Sequence, residues 1–127
     1  MVGESSFFKY SGLMWEIKTD DGGPRDMDNY YTWQEALSYC ENLTLAGYTD
    51  WRLPNVRELF SLVDFTQSNP DLPCIDLTYF SNTKWFSYWS STTYADGPYS
   101  AWYVAFDTGG VPDGRKSLSP YYVRDSD

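Results

Sequence analysis

Chemistry in this chain has to come from a narrow set of side chains. Eighteen Asp and Glu stand against nine Lys and Arg, there is no histidine, and the net charge is −9. Without histidine, the commonest general base and the usual partner of a serine or cysteine nucleophile are missing. Two cysteines, Cys40 and Cys74, do not make a zinc site. No glycine-rich loop of the P-loop or dinucleotide type occurs. Paired carboxylates can hydrolyse glycosidic bonds, yet no pair is marked by its surroundings. The densest acidic run is DDGGPRDMDN, Asp20 to Asn29. There Asp20, Asp21, Asp26 and Asp28 would suit a hard cation such as calcium. Their spacing matches no defined calcium loop, and the sequence favours a solvated acidic turn. The expectation is a non-enzymatic protein with no cofactor.

The other conspicuous supply is aromatic: six Trp, twelve Tyr and seven Phe in 127 residues. That exceeds what one core of this size needs, so part of it is expected to face solvent or a partner. The acidic balance argues against nonspecific binding to nucleic acid or to an anionic membrane, which both need basic surface. It also opposes strongly sulfated polysaccharides. No run is long and apolar enough to span a membrane.

These residues need elements to position them. Thr32 with Glu35 three residues on is a capping-box pattern. Trp33, Ala36, Leu37, Cys40 and Leu43 then fall on one helical face, and Gly47 is read as the left-handed residue that ends the helix. Pro54, Asn55 and Glu58 repeat the start signal. Val56, Leu59, Phe60 and Val63 follow as the apolar face of a second helix. Between the helices, Trp51 and Leu53 are expected to pack, and Arg52 to hold the corner by pairing with a carboxylate or carbonyls.

The flanking stretches read as β. Phe7 to Tyr10 and Leu13 to Ile17 suggest one strand or a pair, with Leu13, Trp15 and Ile17 inward and Met14 and Glu16 outward. The long stretch from Thr66 to Asn82 is either functional or pinned to the body. From Trp85 on, aromatics crowd strands. In Ser100–Asp107 the alternation assigns Trp102, Val104 and Phe106 to the core. It assigns Ala101, Tyr103, Ala105 and Asp107 to the surface. Tyr121 to Arg124 reads as the last strand, beside the strand at Leu13–Ile17, so the termini are expected to lie close together.

Several ordered blocks carry a family resemblance: GLMWE (Gly12–Glu16), TWQEALSYCENL (Thr32–Leu43), GYTDWRLPN (Gly47–Asn55) and the ELFSLVD that follows. YWSSTTYA (Tyr88–Ala95), AWYVAFDTG (Ala101–Gly109) and YYVR (Tyr121–Arg124) continue it. Over roughly Ser11 to Arg124 the chain resembles the Lcl C-terminal domain family, named for a bacterial collagen-like adhesin. The resemblance implies an α+β, C-type lectin-like fold, with two helices packed on antiparallel sheets and the termini close together. One domain spans residues 1–127, with 1–10 as a leader or added residues. The RLPN corner is also similar to formylglycine-generating-enzyme-like domains. Those enzymes use two cysteines late in the chain, a pattern that Cys40 and Cys74 do not fit. In lectin-like folds a helix cysteine commonly pairs with one in the last strand, and the family often ends YVRC. Asp125 stands at that position here, so Cys40 either pairs with Cys74 or stays a buried thiol.

What the resemblance implies for function is ligand binding of the adhesion type, to a glycan or a protein on a cell or host surface. The calcium-lectin triplets are missing, so calcium-dependent sugar binding is not carried over. The expected site is the aromatic-rich surface of the C-terminal strands and loops: Tyr94, Asp96, Tyr99, Tyr103, Asp107, Asp113, Arg115 and Tyr121. Tyrosine among small polar residues gives large contact area at low entropy cost. The same resemblance implies two alternatives. One is a variable protein of a diversity-generating retroelement, diversified at these positions. The other is a homo-oligomeric, trimerising assembly module of a surface fibre. Each implies display outside a cell or on a virion. Met1 to Ser6 carries no basic-then-apolar signal-peptide pattern.

Overall fold

The computed structural model describes residues 7–10, 12–67, 72–78, 80, 82–84, 86–117, 119, 121–123 and 126. The architecture is α+β, with two helices and two antiparallel sheets, compatible with the lectin-like arrangement expected. Strands β1 (Phe7–Tyr10) and β2 (Leu13–Glu16) form a hairpin in which Phe8 faces Trp15. Helices α1 (Trp33–Asn42) and α2 (Val56–Phe60) follow. Strands β3 (Ser87–Thr93), β4 (Ser100–Ala105) and β5 (Asp113–Arg115) make the second sheet in sequence order.

Both helices start where the capping signals put them. The Glu35 N–H donates to Thr32 Oγ1 at 3.4 Å, and Glu35 Oε1 accepts from the Thr32 N–H at 2.9 Å. Asn55 and Glu58 repeat this at 2.8 and 2.9 Å. Helix ends depart from expectation. Helix α1 stops at Asn42, before Gly47. The positive φ of Gly47 (80°), with that of Ala46 (54°), instead closes a tight turn in which Leu45 and Tyr48 exchange both backbone bonds at 3.0 Å. Helix α2 is only five residues long, and the chain turns before a second apolar turn can form. Phe60 therefore lies exposed, and Leu62 takes the core position assigned to it.

The larger sheet has a core on each face. Successive side chains of a strand point to opposite sides. Tyr88 enters a cluster with Trp15, Leu59, Leu62, Ile75, Phe80, Val104 and Phe106. Trp89 enters another with Ala36, Cys40, Leu53, Ala101 and Val123. This overturns the surface assignment of β4: Ala101 and Ala105 are buried, and Tyr103 packs half-buried against the second cluster. Trp102 is also corrected. It lies half-buried at the open end of the sheet, not in either core cluster.

The described residues around Cys74 to Phe80 are pinned to the body. Cys74 accepts from the Asp64 N–H and donates to Phe106 O, at 2.8 and 2.7 Å, and Ile75 and Phe80 are core residues. Among the described residues, the end of the chain makes single bridges where a strand was expected over 121–124: Tyr121 to Tyr31, and Tyr122 parallel to Tyr88. Arg124, like Trp85, Ser11 and Asp125, lies outside the described residues. Ser126 bridges both Trp15 and Arg52, which brings this end of the chain against β2 as expected.

Candidate functional site at the tip of the long hairpin

Strands β3 and β4 pair with an irregularity between Trp89 and Thr93, and Thr93 faces Ala101. The connection, residues 94–99, is closed by backbone bonds. Tyr94 N–H donates to Ser100 O at 2.9 Å, Gly97 N–H to Tyr94 O at 3.1 Å, and Ser100 N–H to Gly97 O at 2.8 Å. The Tyr94 ring lies close over Gly97: an added Cβ would sit 3.2 Å from Tyr94 Cδ2. The same ring meets Trp102 edge-on, with centroids 5.0 Å apart. Tyr99 projects from the tip and is 78% exposed, the highest value among the large exposed apolar side chains.

Strand β5 adds charge to this end. Ser100 faces Arg115 and Trp102 faces Asp113, while Gly114 faces Ala101. Alternation therefore puts Arg115 and Asp113, both exposed, on the face that carries Trp102. Lys116 completes the edge. Its ammonium donates to Thr93 Oγ1 at 2.9 Å and lies 4.0 Å from the Trp33 ring centroid, within the range of a cation–π contact.

Five of the eight expected site residues thus gather at the tip: Tyr94, Asp96, Tyr99, Asp113 and Arg115. The other three do not join them. Tyr103 and Tyr121 lie on the opposite face, over Gly114. Their ring centroids are 4.3 Å apart, and Trp89 lies 4.7 Å from Tyr121. Burial, then its bond to Tyr121, pushes the Tyr103 phenol up to about 12. Gly114 is required there, since an added Cβ would come within 2.7 Å of Tyr121 Cε2. Asp107 lies beyond the far end of β4, its carbonyl 3.9 Å from Cys74 Sγ. Trp102 and Ala105 are about 10 Å apart along the strand, and Asp107 lies in the turn that follows it. Sequence reasoning missed Trp102, Trp33 and Lys116. The alternation that sent Trp102 inward is correct for its face, but that face opens to solvent at this end.

The acidic loop gathers three of its four carboxylates. Oxygens of Asp20, Asp26 and Asp28 lie within 4.8 Å of one another. Asp21 turns to Thr19 Oγ1 and the Gly23 N–H instead, at 2.8 and 2.9 Å. Asp26 is buried and accepts from the Gly22 and Asp28 N–H groups at 2.6 and 2.7 Å. These backbone donors hold both carboxyls below the usual range, the Gly23 N–H acting on Asp21 and the Asp28 N–H on Asp26. Asp28 meets Lys84 at 2.6 Å. The loop's oxygens thus serve its own fold.

No disulfide joins the cysteines. Cys40 is a buried thiol on α1, and Cys74 a half-buried one beside Phe106.

The family model of the Lcl C-terminal domain matches the chain over residues 9–125. No curated protein matches it.

Proposed function

This chain belongs to the Lcl C-terminal domain family, and from that premise we propose that it is a non-enzymatic recognition module, displayed outside the cell or on a particle. Its ligand is a glycan or protein held by the tip of the β3–β4 hairpin. The observation that carries this reading is Tyr99, 78% exposed on the hairpin connection whose other end carries the Tyr94–Trp102 pair. Burying so large an aromatic ring is favourable only when a partner covers it, and aromatic rings with a few polar neighbours suit sugars and proteins alike. Asp113, Arg115 and Asp96 supply directional polar contacts around the rings.

The test is a binding screen against glycans and cell-surface proteins, repeated with Tyr99→Ala and Arg115→Ala. Saturable binding lost in both variants, with melting temperature unchanged, supports the tip. Binding that survives both rejects it.

Two narrower readings rest on the same tip. Its side chains are exposed while its backbone holds the turn, which suits a diversified binding site. A near-identical template repeat beside the gene, differing at adenine positions, would establish that. If Tyr94 and Tyr99 are instead the seam of a trimer, solution mass will rise with concentration and Tyr99→Ala will abolish the rise.

A further inference from the structure

A second concave surface lies between α1 and the 19–31 loop. Two hollows of about 500 and 470 Å³ share Pro24 and Tyr39 as walls, so they form one groove. Glu35, Tyr39 and Asn42 line it from α1, at spacings of four and three that keep them on one helical face. Pro24, Asn29 and Tyr30 line it from the loop. From Glu35 to Asn42 the helix rises about 10 Å.

The walls are fixed to each other through one buried atom. Glu16 is fully buried, and its Oε2 accepts both from Arg25 Nε on the loop, at 2.9 Å, and from the Tyr39 hydroxyl on α1, at 2.6 Å. Arg25 also donates to Ile17 O. Lys18, buried as well, donates to Glu16 Oε1 and to the Tyr39 oxygen, each at 3.1 Å, and lies 4.5 Å from the Tyr39 ring centroid. A groove whose two sides are tied to one carboxylate does not have to be ordered when something enters it.

We propose that this groove docks a short, extended, basic segment of a partner protein. Length and charge both point there. An extended chain covers about 3.3–3.6 Å per residue, so three residues span the groove. Two carboxylates, Asp28 and Glu35, line it against one cation, Arg25, in a chain of net charge −9. Tyr30 is 63% exposed at the rim, where an aromatic ring can meet an ammonium or guanidinium. Asn42 is exposed at the far end and can bond a peptide backbone. The groove shares no lining residue with the hairpin tip.

The experiment is fluorescence polarisation on the whole chain with a labelled Gly-Lys hexapeptide. The matched Gly-Glu peptide and the neutral sugar cellotetraose are compared with it. Three variants are run. Glu35→Gln removes a charge, and glutamine still serves a capping box. Tyr30→Ser removes an exposed ring, and Tyr99→Ala tests the tip. The Gly-Lys peptide should bind saturably and weaken with salt. Each groove variant should weaken it about two- to fivefold, the effect of one exposed charge or one cation–π contact. Tyr99→Ala should leave it unchanged. Equal binding of the Gly-Glu peptide, absence of saturation, or groove variants that bind as well as the parent would overturn the proposal. So would binding of cellotetraose alone, which would make the groove a sugar site. Loss on Tyr99→Ala would move the peptide to the tip, so failure here and failure of the tip reading are told apart.

Discussion

The guanidinium of Arg52 lies flat against the carboxylate of Glu58, with Nη1 and Nη2 each 2.7 Å from one carboxylate oxygen. The same Oε1 accepts the Asn55 N–H at 2.9 Å, so one side chain both caps α2 and holds the corner before it. The Arg52 backbone is meanwhile tied to Ser126 in both directions, at 2.8 and 2.9 Å.

Arg52 holds the Glu58 carboxyl below its ordinary value of 4.5, with the Asn55 N–H adding to the effect. A carboxyl lowered by folding adds stability above its unfolded pKa and loses it as pH falls through the folded one. Glu58→Gln keeps a capping side chain but loses the ion pair. We expect it to melt below the parent at neutral pH, with the gap closing as the solution is acidified well below pH 4.5. Melting curves over that range check it. A gap that stays constant with pH would show that the ion pair contributes nothing.

Phe60 and Leu62 should exchange the roles that helical spacing suggests. Leu62→Ala leaves a cavity and should cost about 2–5 kcal/mol. Phe60→Ala removes a ring that is 39% exposed, with its centroid 6.2 Å from that of Phe65. Its cost should be the smaller, about 1 kcal/mol. Chemical denaturation ranks the two, and a larger loss for Phe60→Ala would contradict the placement of α2.

Tyr103 and Tyr99 provide the matching test on the sheet. Tyr99→Ala should change stability by no more than about 0.5 kcal/mol. Tyr103→Ala opens the space under Trp89 and Tyr121 and should cost about 2–4 kcal/mol. The Tyr103 phenol, raised from 10 to about 12, adds a pH signature. The unfolded chain ionises first, so the stability from this group is present below pH 10 and lost as pH rises towards 12. In an ultraviolet titration, Tyr103→Phe should match the parent up to about pH 11 and differ only above it.

Glu16→Gln should cost about 3–5 kcal/mol, because it leaves Lys18 and Arg25 facing a neutral amide in a buried site. Guanidinium unfolding measures this. A loss below about 1 kcal/mol would mean that water enters the cluster and screens the cations.

How much of this was legible in the sequence depends on range. The capping boxes at Thr32–Glu35 and Asn55–Glu58 are local grammar, and both helices start where they say. What sequence could not give was which surfaces are covered. Period-two alternation put Glu16 and Ala101 outward because it presumes one dry face per sheet. Here both faces of β3 and β4 are packed. The partners that make Glu16 tolerable inside, Lys18, Arg25 and Tyr39, are scattered over three elements. Phe60 was misplaced for a different reason: apolar spacing says nothing of a helix that stops after five residues. Of the eight side chains assigned to the site, the five that gather at the tip flank a turn or lie on an edge strand. Tyr103 and Tyr121 share their composition but not their setting.

The 94–99 turn is closed by main-chain bonds, and its side chains take little part in holding it. Substitution of its exposed residues, Asp96 and Tyr99, is therefore nearly free of folding consequences, while Tyr94 stays packed on Trp102. Such changes can rewrite what the turn displays while the sheet behind it keeps its packing, and loop grafting at the bench can use the same freedom.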